Sequence, residues 1–170
     1  MKICIGTANY KKLYGLNKIR VKANDVAKIT KYLKKNKIKF IDTANNYNNA
    51  DIFLKEKGFK IIIKISKLRN IDSKNIKHYI NKQIKPFFNK KNKIYAVLLH
   101  DCRDMFSMKK FEIFKCLLNL KKKKTTHKIG ISCYNEEDLL ILKKFKFDIV
   151  QFPFNIFDQR ILKKKKLKYY

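Results

Sequence analysis

This sequence predicts an α/β fold on a parallel, barrel-type sheet, and three observations carry the prediction. Six apolar runs of strand length alternate with amphipathic segments of helix length, the pattern of consecutive parallel βα units. Three consecutive runs end in chemically usable residues. Lys39-Phe40-Ile41 leads into Asp42, Ile61-Ile62-Ile63 into Lys64 and Ala96-Val97-Leu98-Leu99 into His100, with Tyr47 just past the first. The four glycines stand at positions 6, 15, 58 and 130, so neither a GxGxxG nor a Walker A loop can be written. That disfavours a doubly wound nucleotide fold and leaves a barrel-type sheet, whose site is built at the carboxyl ends of the strands. Adjacent strands lie ~4.8 Å apart, which sets an acid, an ammonium and an imidazole side by side around a tyrosine hydroxyl.

The first strand is expected over Lys2–Ile5, closing on Gly6-Thr7, with a polar loop through Tyr14-Gly15. A helix over about 24–36 follows, capped by Asn24 or Asp25. Val26, Ile29 and Leu33, joined by Ala27 and Tyr32, keep its 3.6-residue period. The second strand covers Ile38–Ile41. A short helix near 49–57 stops at Gly58, the expected C′ glycine. The third strand is Lys60–Ile65. Asp72 and Ser73 cap the next helix, which runs to about Pro86 with Ile76, Ile80 and Ile84 on one face. The fourth strand is Ile94–Leu99. A helix over about Ser107–Lys121 buries Phe111, Phe114, Leu117 and Leu118, and its terminal lysines offset the macrodipole. The fifth strand is His127–Ser132. Asn135 is expected to cap a helix opening Glu136-Glu137-Asp138, the sixth strand is Asp148–Phe152, and Ile156–Tyr170 reads as a loop and the start of a helix.

No Gly/Ser linker, composition shift or internal repeat divides the 170 residues, so residues 1–170 form a single domain. Hydrophobic residues make up 45%, enough to form a core. The net charge of +30, from 43 basic and 13 acidic residues, suggests nucleic acid or an anionic membrane. Yet Lys, Asn, Ile, Phe and Tyr are inflated together and Trp is absent, so AT-rich coding is the favoured source of the charge. No specific nucleic-acid partner is expected. Cys4, Cys102, Cys116 and Cys133 form neither a CxxC pair nor a zinc spacing. Isolated thiols, no signal h-region and no apolar stretch approaching 18 residues suit a protein of the cytoplasm, with no membrane partner.

The motifs in order resemble those of the aldo-keto reductase family across essentially the whole chain. Gly6-Thr7 followed by Tyr14-Gly15 is similar to the family's opening strand and loop. Phe40-Ile41-Asp42-Thr43-Ala44 with Tyr47 resembles its most diagnostic motif, the catalytic acid and tyrosine five residues apart. Lys64 after three isoleucines resembles the catalytic lysine strand, and Leu98-Leu99-His100 the catalytic histidine strand. Gly130-Ile131-Ser132 and Val150-Gln151-Phe152-Pro153-Phe154-Asn155 resemble the fifth and sixth strand ends. The resemblance implies NADP(H) or NAD(H) as cofactor, with Gly6 and Thr7 among its contacts and Ser132 and Gln151 on the nicotinamide carboxamide. It also implies a carbonyl compound as substrate. Cys133 stands where many members carry Asn, and Asn48 where a glycine usually follows the tyrosine.

The chemistry expected of the four residues follows from their types. Hydride transfer to a carbonyl leaves an alkoxide that needs a proton. Tyr47 can donate it, although a phenol's reference pKa of ~10 is high for work near pH 7. The Lys64 ammonium favours phenolate and lowers that value, and Asp42 keeps the lysine charged and oriented. His100 polarises the carbonyl by donating a hydrogen bond to its oxygen. Each residue also has a plainer reading: Asp42 as a loop cap, Lys64 as one lysine among many, Tyr47 and His100 as packing side chains. Their concurrence on successive strands favours chemistry.

The family's barrel has eight strands and this sequence supplies six, so the resemblance implies an incomplete (β/α)8 TIM barrel. It would be a carboxyl-terminally truncated member, or one half of a split one, with cofactor binding weakened by the missing part. An unclosed barrel leaves two edge strands, hence an expectation of self-association or of a complementing C-terminal fragment. Two alternatives stand beside a reductase: an inactive fragment serving as a binding or assembly subunit, and a basic nucleic-acid-binding protein.

Overall fold

Six strands pair in chain order, all parallel, in one sheet ordered β1-β2-β3-β4-β5-β6. They are β1 (Cys4–Gly6), β2 (Phe40–Ala44), β3 (Lys60–Ile65), β4 (Lys93–Leu99), β5 (Lys128–Ser132) and β6 (Ile149–Gln151). The helices are α1 (Ala23–Lys35), α2 (Ile76–Ile84) and α3 (Lys110–Lys122). The computed structural model describes residues 3–11, 13, 20–48, 58–66, 68–88 and 93–160. The expected Tyr14-Gly15 loop, the helix near 49–57 and the segment beyond Arg160 lie outside them. Sequential parallel strands with helices on one face make an incomplete (β/α)8 barrel.

Alternation along the strands sorts side chains between two faces. In β3 the odd residues Ile61, Ile63 and Ile65 are buried in the layer between sheet and helices. Val97 and Leu99 of β4 and Ile129 and Ile131 of β5 join them. From the helices come Ile76, Ile80 and Ile84 of α2, and Ile113 and Leu117 of α3. Each such burial contributes roughly 1.5–3 kcal/mol. The even residue Lys64 is thereby turned to the other, concave face. At the amino end of that face Tyr95 fills a bulge in the β3–β4 pairing, its ring 5.0 Å from Phe40. The ammonium groups of Lys60 and Lys128 sit 5.7 and 5.9 Å from the same ring, an aromatic and cationic floor opposite the strand ends that carry the site.

Gly130 is fixed by close approach. It pairs with Leu98 on one side and Ile149 on the other. A Cβ there would lie 2.6 Å from the Ile149 carbonyl oxygen and 2.8 Å from Leu98 Cγ. Because the first of these is backbone, β5 and β6 would have to separate. Gly130→Ala is expected to destabilise the chain by about 1–3 kcal/mol, read as a lower urea midpoint at unchanged slope.

Several local expectations are corrected. The helix α1 begins at Ala23, not at an Asn24 or Asp25 cap, because the Lys22 carbonyl already accepts from the amides of Asp25 and Val26. Asp25 instead sits in the first turn, 3.6 Å from Lys28. Ala27 and Tyr32 of this helix are exposed. In α3 the buried stripe is Ile113, Leu117 and Leu120, one step around from the expected face. Phe111 and Leu118 are exposed; the Phe111 ring lies 5.6 Å from that of Phe145 and carries the Lys110 ammonium at 5.6 Å from its centroid. The segment after Asn135 is a 3-10 stretch over Glu137–Lys143 and not an α-helix. There Asp138, not Asn135, supplies the capping oxygen, accepting from the amides of Tyr134 and Asn135 at 2.6 and 2.9 Å. Finally, Asp42 does not end its strand: β2 runs two residues further, to Ala44.

Candidate active site

Placement within β2 gives Asp42 its role. It pairs in register with Gly6 of β1 and Ile62 of β3, and so lies between neighbouring strands. Thr7 clamps its backbone from the β1 side, donating both its amide (3.1 Å) and its hydroxyl (3.0 Å) to the Asp42 carbonyl. The Asp42 carboxylate accepts from Lys64 Nζ at 2.8 Å and from Gln151 Nε2 at 2.7 Å, both at Oδ2. Its Oδ1 is buried without a hydrogen-bond partner among the described residues.

Lys64 is the fifth residue of β3, and its ammonium also reaches Gln151 Oε1 at 3.3 Å. Ser132, the last residue of β5, donates its hydroxyl to the same Gln151 oxygen at 3.4 Å. Asp42, Lys64, Ser132 and Gln151 therefore form one hydrogen-bonded set spanning strands β2, β3, β5 and β6. The side chains of Asp42 and Lys64 are 12% and 11% exposed, so water screens their attraction weakly.

His100 follows β4 directly. Its amide donates to the Ile65 carbonyl at 2.7 Å, and its carbonyl accepts from the Tyr134 hydroxyl at 3.3 Å. Burial and then the positive charge of Lys64 hold its imidazole below the ordinary 6.5. The imidazole is accordingly neutral near pH 7, able to donate from one nitrogen. Tyr47 closes the 3-10 turn Asn45–Tyr47 after β2, with its ring edge toward His100 at 6.4 Å and 82°. Asn48 then takes the left-handed conformation (φ 54°), which asparagine tolerates better than most residues, so the turn expected of a glycine is kept.

His100 carries a pH consequence. Its folded-state pKa lies below its unfolded one, so the unfolded chain binds more protons in between. Its contribution is fully present above about pH 6.5 and is lost as pH falls through the folded value. Urea midpoints of the parent and of His100→Gln are expected to converge as pH is lowered over that window. A parallel pH dependence of the two would contradict it.

The sequence pointed to these residues but not to all of their partners. Gly6 borders the set, and among the described residues nothing lies within 4 Å of the position its Cβ would take. The Thr7 hydroxyl is spent on Asp42 rather than free at the rim. Gln151, expected at a carboxamide, also bridges the ion pair. Tyr134 went unnoticed, although its place two residues past Ser132 was a usable signal. A second cluster at the rim was also missed. Burial opposes ionisation of Asp101, yet hydrogen bonds from Arg103 and Arg69 hold its carboxyl at about 2. Arg69 thus ties the loop after β3 to the loop carrying His100. Cys4 of β1, an exposed residue, has its thiol pushed up to about 12 by desolvation and then by the Asp42 charge. A thiolate is therefore not available beside the pair near pH 7.

A cleft of about 210 Å³ opens between Lys64, Ser132, Tyr134, Gln151, Phe152 and Pro153. It offers apolar walls from Phe152 and Pro153, and hydroxyl and amide groups from Ser132 and Gln151. An amide-bearing heteroaromatic ring matches those donors and acceptors.

Known structures share this architecture. A Pseudomonas aeruginosa protein, PA4992, assigned to the aldo-keto reductases, superposes with a TM-score of 0.67 at 17% identity, over 91% of this chain and 63% of its own. The aldo-keto reductase AKR11C1 of Bacillus halodurans, in its holo form, gives 0.63 at 15% identity, over 90% and 53%. A variant of Gox0644 in complex with NADPH gives 0.51 at 19% identity, over 71% and 45%. At such identities the likeness speaks to fold. This chain spans about 63% of the length of PA4992 and less of the others. No curated protein matches it significantly in sequence. The Aldo/keto reductase family model matches residues 2–170, and the chain belongs to that family. No helix among the described residues is long and apolar enough to cross a membrane.

Proposed function

We propose that the chain is an NAD(P)H-dependent oxidoreductase that reduces a carbonyl compound to an alcohol, with Tyr47 as proton donor. The observation that carries this reading is the Asp42–Lys64 ion pair, held on the concave face, with Tyr47 and His100 next to each other at the same rim. Ser132 and Gln151 would hold the nicotinamide carboxamide in the adjoining cleft. The cofactor, when bound, supplies the hydride. Gln151 then trades part of its bonding to Asp42 and Lys64 for the carboxamide.

The chain's own residues handle the proton. The Lys64 ammonium favours the phenolate form of Tyr47 and so eases release of its proton to the nascent alkoxide. Asp42 fixes the lysine's position and charge. Neutral His100 donates a hydrogen bond toward the carbonyl oxygen as negative charge develops there. The backbone edges of β1 and β6 have no further strand neighbour among the described residues, which supports self-association or a complementing fragment as the partner.

The test is an NADPH fluorescence titration of the purified 170-residue chain, followed by turnover on a panel of aldehydes, ketones and sugar-derived carbonyls. Saturable binding with oxidation of NADPH supports the reading. A folded chain that neither binds nor turns over, yet forms a defined complex, would favour the assembly-subunit alternative.

A further inference from the structure

The surface between the loop after β4 and the segment after β5 is apolar and cationic at once. A cleft of about 370 Å³ opens there, floored by Met105, Phe106, Leu140 and Ile141. Lys110, Lys143 and Lys144 line it too, and none of the three is in an ion pair among the described residues. Phe106 and Leu140 are 52% and 53% exposed, and the chain neighbours Met108 and Phe111 are 95% and 66% exposed. Asp104 and Asp138, the acids next to this lining in the chain, are buried. Glu112 stands in the first turn of α3, and Glu136 and Glu137 line an adjoining cleft with Arg160 that shares Leu140.

Phenyl and thioether groups at this exposure cost free energy in water, and contiguous ones mark a surface that meets something apolar. The interleaved ammonium groups demand that the same partner be anionic. A folded acidic protein offers anions but needs a matching apolar relief. A polynucleotide offers phosphates and flat bases, which favour stacked rings over a thioether and a leucine. An anionic lipid bilayer offers both layers at the right depths: headgroup anions outside, hydrocarbon just beneath.

We propose that this face docks the chain on the surface of an anionic phospholipid bilayer. Phe106, Met108 and Phe111 enter the headgroup boundary, while Lys110, Lys143 and Lys144 meet the headgroups. The chain lies on the membrane and does not span it. The sequence-based expectation of no membrane partner rested on the lack of a spanning segment, which does not bear on surface docking.

Because the chain contains no tryptophan, Phe106→Trp gives a single reporter. Vesicles of phosphatidylcholine with phosphatidylserine should shift its emission to the blue, and brominated acyl chains should quench it. Pure phosphatidylcholine should do neither. Tyr32→Trp, at a residue 63% exposed on α1, should stay unshifted. The pair Lys143→Gln/Lys144→Gln should weaken vesicle binding about tenfold or more. Lys34→Gln/Lys35→Gln, an equal charge loss at the exposed end of α1, should change it less than about twofold. Met108→Trp replaces Phe106→Trp if that variant does not fold by circular dichroism. Adsorption without quenching, equal losses from the two charge variants, or a blue shift given by a single-stranded oligonucleotide and not by vesicles would each overturn the proposal.

Discussion

Replacing Tyr47 by phenylalanine is expected to lower kcat at least ~100-fold on any carbonyl the parent reduces, the usual scale for losing a general acid. The change removes one oxygen and leaves the ring, so the edge-on contact with His100 at 6.4 Å persists and the fold is expected to hold. Initial rates with NADPH, with circular dichroism as the control for folding, provide the measurement. Equal turnover by the two proteins would remove tyrosine as the acid and pass the role to His100 or to water. The His100 imidazole, already biased toward its neutral form, is a poor acid near pH 7. A variant that keeps NADPH binding but loses kcat would place the defect in the proton step.

The sheet was legible because its signal is physical and local. Three consecutive isoleucines between Lys60 and Lys64 are poor helix formers and good strand formers, and β3 lies where they place it, at Lys60–Ile65. The α2 face of Ile76, Ile80 and Ile84 was equally plain from spacing. Where the reading slipped, tertiary contact decided. Phe111 looks like core by composition, but α3 rotates so that Ile113, Leu117 and Leu120 meet the sheet. A first-turn run of acids after Asn135 reads as a helix start, yet Asp138 bends back to its own loop amides and the segment tightens to 3-10. At the site, strand ends announced Asp42, Lys64, His100 and Ser132. Nothing in a sequence announces that Gln151, 109 positions from Asp42, would donate to its carboxylate. That contact follows from the curvature which brings β6 across the concave face to β2.

Breaking the Asp42–Lys64 pair from one side should cost more than removing it entirely. In Lys64→Met the carboxylate stays about nine-tenths buried and keeps only the Gln151 amide, so destabilisation of about 3–5 kcal/mol is expected. That is a large share of the ~5–15 kcal/mol that holds a typical domain. Asp42→Leu strands the ammonium against Gln151 Oε1 alone and should cost a comparable amount. The double variant Asp42→Leu/Lys64→Met replaces both charges by apolar groups of similar length and should return to within about 1–2 kcal/mol of the parent, because no charge is then left to desolvate. Catalysis should be lost in all three, since none retains the Asp42-held ammonium that the proposed proton step uses. Urea denaturation of the four proteins closes the cycle. Strictly additive losses would show that the two groups do not act on each other. The carboxylate and ammonium would then be neighbours on a curved sheet and not a catalytic pair.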